Sequence, residues 1–244
     1  FPGKQVVLSG TGVGLTLSTL LMGTGALQNT AAFANTWTGN VILAADAALT
    51  ALVLADAGLE TVPGICVRRG RGVDFLDPVR VRPVHGGRGP AWSVATSPGE
   101  LRAALVRAFA VDSHAWVEEL AEGRELEQPV VRLADGTCLV GAAHDAGVGT
   151  FFAQDRGVGG DAQFTAAEGM TDLDQGRVRR VAQAAYDALD LRGIACVSVV
   201  LDSPRVRVLA IDPDPRLDPG SRAMAAFAAA GWSGADVRAA ARGY

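Results

Sequence analysis

The side chains that could do chemistry in this sequence are few and widely spaced. Of its 22 lysines and arginines only Lys4 is a lysine, so any mechanism that needs a lysine beyond residue 4 is excluded. Cys66, Cys138 and Cys196 are odd in number, form no CxxC pair and have no histidine at ligand spacing. They read as reduced, buried thiols of a cytoplasmic protein, not as a zinc site or a disulfide framework. Cys196 and Ser198 would share one face of a strand, but a thiol nucleophile needs a base and a lowered pKa, and no sequence neighbour supplies them. Asp212 and Asp214 lie two apart on an extended stretch and would not form a joint metal site by themselves. His85 adjoins Gly86-Gly87, where it could approach a ligand phosphate or simply face solvent; His114 and His144 read as structural. The run Arg68-Arg69-Gly70-Arg71-Gly72 reads as a solvated hairpin turn, with a phosphate or acidic partner as the other reading. Glu118-Glu119, taken alone, reads as a solvated strand end.

The elements that must position these residues follow from pattern. A chain of 244 residues, 49% hydrophobic and 20% charged with net charge −4, is long enough to bury a substantial core in one large or two compact domains. Its pI near 5.4 excludes general affinity for nucleic acid, which needs a basic face. Residues 41–59 are apolar enough to resemble a membrane span, but Asp46 and Asp56 would each be costly there, and a buried amphipathic helix over 41–57 fits better. That helix would bury Ile42, Ala45, Leu49, Leu52 and Val53. Residues 4–34 faintly mimic a secretory signal, interrupted by glycines and polar residues. Gln5–Leu8 followed by Gly10, Gly12 and Gly14 has the form of a phosphate-binding βα turn, but no clear acidic residue follows about twenty positions on to take a ribose, and a plain tight βα turn fits better. Strands are expected at Val79–Val84, Ala91–Ala95, Trp116-Val117, Glu125–Leu133 and Thr137–Ala142. Ser97-Pro-Gly-Glu100 is a capping box that opens a helix with Leu101, Leu105 and Phe109 on one stripe. Residues 145–168 have no period and read as a long loop. A helix over 175–190, a hairpin of Ile194–Leu201 with Val206–Ile211, and two closing helices complete a mixed α+β order.

The order of motifs resembles the D-alanine–D-alanine ligases of the ATP-grasp superfamily. Trp116-Val-Glu-Glu-Leu-Ala-Glu-Gly-Arg-Glu-Leu-Glu127 is similar to the family's hinge segment. Leu189–Val199 and Val208–Gly231 follow its last strands, Asp46–Gly58 its lysine-bearing helix, and Val79–Ala91 its V-K-P strand and glycine loop. The resemblance implies an ATP-grasp-like α+β fold: an N-terminal α/β remnant at 1–41 with much of that domain missing, a central subdomain at 42–115 and a C-terminal one at 116–244. The cleft would lie between Val79–Ala95 and Val206–Asp212. It also implies a reaction in which ATP phosphorylates one D-alanine carboxylate and a second D-alanine amine attacks the acyl phosphate.

Carried over residue by residue, the resemblance gives a depleted site. The nucleotide-binding positions that persist are Arg82 in place of the strand lysine, Gly86 and Gly87 in the loop, Glu118 and Leu120 at the adenine hinge, and Glu125 at the ribose. Ser221 stands where the family holds the terminal substrate carboxylate. The helix lysine falls on Ala47, the catalytic arginine on Cys196, and the three metal ligands on Ser198, Ala210 and Asp212, so Asp212 alone could touch a metal. Each missing group of this kind costs about a hundred- to a thousand-fold in rate. The expectation is a catalytically inactive relative that binds or regulates, with no catalytic residue and no cofactor assigned and with ATP and Mg²⁺ poorly held. Its partner would be a small molecule or a protein, such as an active ligase relative or a second copy of the chain, and not nucleic acid or membrane. The alternative is a carboxylate–amine ligase with an altered substrate and weak nucleotide binding. Arg82, Arg88 and Arg216 are expected to pair with internal carboxylates, Asp212 and Glu118 first, and so to fill part of the nucleotide space.

Overall fold

The structure, a computed structural model, describes residues 6–8, 35–37, 46–85, 91–133, 135–146, 165–213, 215, 217–218 and 220–242. The sequence's glycines at 10, 12 and 14 and most of the 145–168 stretch lie outside these. Near the amino terminus, β1 (Val6–Leu8) and β2 (Asn35–Trp37) pair antiparallel. The rest of the described chain builds two antiparallel sheets, the mixed α+β arrangement expected.

The first sheet has four strands in the order β3 (Gly64–Arg68), β6 (His114–Glu119), β4 (Val79–Pro83), β5 (Ser93–Ala95). Period-two alternation sends Val79 and Val81 to one face and Arg80 and Arg82 to the other. The valine face is covered by α2 (Pro98–Val111), which brings Leu101, Ala104, Leu105 and Ala108 against Val67, Val81, Ala115 and Val117. Ser97 caps this helix by accepting from the Glu100 amide at 3.3 Å; Glu100 in turn accepts from the Thr96 amide and hydroxyl, both at 2.7 Å, so the box closes one residue further back than the pattern suggests.

The second sheet runs β11 (Arg205–Asp212), β10 (Ile194–Asp202), β7 (Arg124–Arg132), β8 (Cys138–Val140), with β9 (His144–Asp145) also on β7. One face holds α3 (Asp172–Ala188), whose Val178, Ala182, Ala185 and Tyr186 pack on Leu126, Val130, Val197 and Val199. The other face is covered at one end by α4 (Arg222–Ala229) and α5 (Gly234–Arg242), through Met224, Phe227 and Val237 on Val131 and Ile194. Towards the other end, that same face turns to the four-stranded sheet.

Helix α1 (Ala47–Asp56) and the segment after it tie the two sheets together. Ala47 packs with Val84 and Trp116 of the first sheet, while Leu54 sits in the core of the second. Residues Glu60–Val62 then extend the β11 edge: Val208 N donates to Glu60 O and Val62 N to Val208 O. The expected buried face of this helix is wrong where it can be checked. Leu52 is exposed and Leu49 and Val53 are half-buried, whereas Ala47, Thr50 and Leu54 are buried; Ile42 and Ala45 lie outside the described residues. A segment apolar at nearly every position carries no period, and the face that Trp116 and the second core select decides the matter.

Two further expectations are corrected. The Arg68–Gly72 run is solvated, but it joins no hairpin, because β6 lies between β3 and β4. Of the three cysteines only Cys196 is buried; Cys138 is half-buried and Cys66 exposed on the edge strand β3. Among the described residues no helix is long and apolar enough to cross a membrane.

Candidate functional site

The face of the first sheet opposite α2 presents Arg80, Arg82, Trp116 and Glu118 towards the second sheet. Glu118, 1% exposed, is the centre of this group: the Trp116 indole N–H donates to its Oε2 at 2.8 Å, Arg82 reaches the same oxygen at 3.4 Å, and Arg80 lies 3.6 Å from Oε1. Two contacts cross to the other sheet. Arg80 donates to Oε1 of Glu125 on β7, and Arg82 donates to the Leu209 carbonyl of β11 at 3.4 Å. Both guanidinium groups stack over the Trp92 ring, at 4.8 Å for Arg82 and 5.9 Å for Arg80, and Trp92 itself packs on Ala146 and Ala210. β4, with Trp92 just before β5, thus faces β11 across this layer.

Burial pulls the Arg82 pKa below the ordinary arginine value, while Glu118 works in the opposite direction. Two arginines and two glutamates make the layer formally neutral. Beside it, between α1, Arg82, Trp116 and Leu209, the structure leaves a cavity of about 20 Å³, room for roughly one water molecule.

The remaining expected positions are dispersed or spoken for. Gly86, Gly87, Arg88, Asp214 and Arg216 lie outside the described residues. Leu120 follows β6, 39% exposed, its N–H donating to the Pro78 carbonyl. The Ser221 hydroxyl caps α4, accepting from the Met224 amide at 3.3 Å. Cys196 and Asp212 are opposite one another in the β10–β11 ladder, and Ser198 is opposite Ala210. A hydroxyl, a methyl and one carboxylate lie at the low end of what Mg²⁺ takes in nucleotide sites, one or two carboxylates besides phosphate oxygens. Among the described residues no group of three or more histidine, cysteine or acidic side chains is placed to hold a metal ion. Ala47 contributes only a packed methyl.

Two charged clusters come from long-range contacts. His85 is held between Asp46, 3.1 Å from Nε2, and Asp112, 3.0 Å from Nδ1, with its backbone N–H also donating to Asp112. Hydrogen bonding to Asp112 and then to Asp46 pushes the imidazole pKa up to about 10. Burial alone would raise the Asp112 carboxyl, but the side-chain and backbone bonds from His85 and the His114 amide outweigh it and hold it well below the usual range. His85 therefore clamps the N-cap of α1 to the C-cap of α2 rather than standing open beside the loop. In the second sheet, buried His144 meets Glu127 at 2.9 Å, and Arg222 at the start of α4 donates to the same oxygen.

Arg80, Trp92, Glu127 and Arg222 carry these clusters and were not singled out in the sequence. For Arg80 a signal exists: Val79-Arg80-Val81-Arg82 puts two arginines on one face of a core strand, which demands buried anions opposite.

The family model described as D-ala D-ala ligase C-terminus matches residues 72–238. The chain belongs to the D-alanine–D-alanine ligase family. Among curated relatives, D-alanine–D-alanine ligase of Chlorobium chlorochromatii is 30% identical over 185 residues, 68% of this chain and 51% of that protein. The enzyme of Pelodictyon phaeoclathratiforme is 28% identical over 185 residues, 69% of this chain and 51% of that protein. The chain thus spans about half the length of the curated relatives it matches. Among solved structures, the VanG D-Ala:D-Ser ligase of Enterococcus faecalis superimposes with TM-score 0.68 at 18% identity, covering 84% of this chain and 62% of that one. D-alanine–D-alanine ligase of Bacillus anthracis complexed with ATP gives 0.65 at 17%, covering 82% and 64%. These likenesses establish the ATP-grasp fold for this ligase-family chain.

Proposed function

We propose that this member of the ligase family does not join D-alanine by the family's route and acts as a cytoplasmic binding or regulatory protein. Its partner is a small molecule or another protein, an active ligase relative or a second copy of the chain being the candidates. The observation that carries the reading is the formally neutral layer of Arg80, Arg82, Glu118 and Glu125, whose side chains pair with one another between the sheets. The groups that resemblance assigns to ATP phosphate, metal and acyl phosphate are meanwhile Ala47, Cys196, Ser198 and Ala210. Groups that act as a unit do not fail additively, so restoring any single one would return little. Phosphate release with ATP, Mg²⁺ and D-alanine tests the reading. The expected rate is at background, and turnover above about 1 s⁻¹, within the ordinary enzyme range, would overturn it.

A second reading, an ATP-dependent carboxylate–amine ligase with another substrate, draws on one observation. Glu118 and Glu125, the hinge and ribose positions by resemblance, both face the cleft. Phosphate release in the presence of other amino acids and dipeptides, but not D-alanine, would favour it.

A further inference from the structure

We propose that the free edge of β3 docks a second copy of this chain, whose own β3 adds antiparallel about a twofold axis at Cys66 and joins the two copies' four-stranded sheets edge to edge. The inference rests on the reading of the chain as a binding protein and names one of its candidate partners together with the surface used.

β3 ends the strand order of the first sheet, so one of its edges meets no other strand among the described residues. Which groups line that edge follows from the register. Pro63 O accepts from the Glu119 amide, the Arg69 amide donates to Ser113 O, and the pairing between them is unbroken. Bonded positions alternate along an antiparallel pair, so Ile65 and Val67 bond to β6, while Gly64, Cys66 and Arg68 aim their N–H and C=O groups outward. Gly64–Val67 carries no charge, no proline and no bulge, the devices that keep an exposed edge from pairing. Ile65, on the same face as buried Val67, is 52% exposed.

Self-complementarity favours a second copy as the occupant. With Cys66 on the axis, Ile65 of each copy lies opposite Val67 of the other, and both exposed isoleucines gain an apolar cross-strand neighbour. Exposed Arg68 falls opposite Gly64 and exposed Arg71 opposite Thr61, next to Glu60 of the second copy, so no arginine meets an arginine. Glu60 is free to turn to it, with a side chain 64% exposed and only a 3.5 Å contact with Arg205. The two Cys66 residues would exchange backbone bonds at a Cα separation of about 5.5 Å. That lies within the roughly 4.4–6.8 Å that a disulfide spans, so a covalent trap reports this register.

Sedimentation velocity of the whole chain tests the proposal, together with oxidation by diamide, which takes two electrons and two protons from a pair of thiols as their disulfide forms. A five-residue edge is a small interface, so a monomer–dimer equilibrium with a Kd of roughly 1–100 μM is expected. Diamide should then give a covalent dimer that Cys66→Ser abolishes and Cys138→Ser leaves unchanged. Cys66→Pro removes an outward N–H and spares the bonds to β6, and it should weaken the dimer about tenfold or more. If that variant does not fold, Cys66→Lys, which sets two ammonium groups opposite one another on the axis, should have the same effect. A chain that stays monomeric up to about 300 μM overturns the proposal. So does a dimer that these variants leave intact, or one that diamide does not trap through Cys66. The outcome is separable from the functional reading: phosphate release by the native protein would remove that reading whatever the oligomeric state. A monomeric, inactive chain would remove this docking and leave the reading with its other partners.

Discussion

Replacing His85 by alanine removes the central member of the Asp46–His85–Asp112 clamp, and its cost should depend on pH in a defined direction. The imidazole is raised from 6.5 to about 10, largely by its hydrogen bond to Asp112 and then by that to Asp46. At about 1.4 kcal/mol for each pH unit, that change would be worth about 5 kcal/mol at most. The side chain is 36% exposed, however, so solvent screening brings the expected contribution down to roughly 1–2 kcal/mol. A group raised above its unfolded value contributes fully below about pH 6.5 and loses the contribution as pH climbs towards about 10. Asp112 is lowered in the fold, so its share is present above about pH 3.8 and is lost as pH falls further. The gap between native and H85A should be widest between about pH 4 and 6.5 and close by about pH 10. Urea unfolding reads it directly: with a slope of about 2 kcal/mol per molar, the midpoints should differ by roughly 0.5–1 M in the lower range. A gap that stays constant with pH, or widens above about pH 8, would refute the charged-imidazole clamp.

Other substitutions probe packing and buried charge. A Cβ at Gly64 would sit 2.6 Å from the Trp116 ring, so Gly64→Ala should destabilise by about 1–3 kcal/mol through overpacking, checked by the same urea titration; an unchanged midpoint would mean the ring moves freely. Arg222→Met leaves the buried Glu127 carboxylate with His144 alone and should cost about 3–5 kcal/mol. Pairing it with Glu127→Gln should recover a large part of that loss, and strict additivity of the two would contradict the pair.

The sequence shows best what is local. Ser97 as a cap, the Leu101–Leu105 stripe, and the 194–212 hairpin depend on neighbours within a few positions, and the structure has them. What depends on distant pairing is read poorly. Nothing between Gly64 and Pro83 says that β6, some thirty residues on, will insert between the two strands. His144 shows no partner in sequence because Glu127 lies 17 residues back, and Glu127 meets Arg222 across 95. Arg82 stands out because a resemblance gives it a role. Arg80, with no such role, crosses the cleft as well, to Glu125, and only the alternation of β4 could have pointed to it. The three cysteines show the opposite error, an average tendency to burial applied to an edge strand where Cys66 faces solvent.

The central claim is that the space between the sheets is neutralised and closed from within, so that it no longer takes a nucleotide with its metal. Titrating the native chain with ATP by calorimetry, with and without Mg²⁺, tests it most directly. The account predicts no binding, or a Kd weaker than roughly 10 μM, about −7 kcal/mol, that magnesium does not improve. Tighter binding that requires magnesium would contradict it, because the phosphates and the metal would then be held by charges that Ala47, Ser198 and Ala210 do not provide.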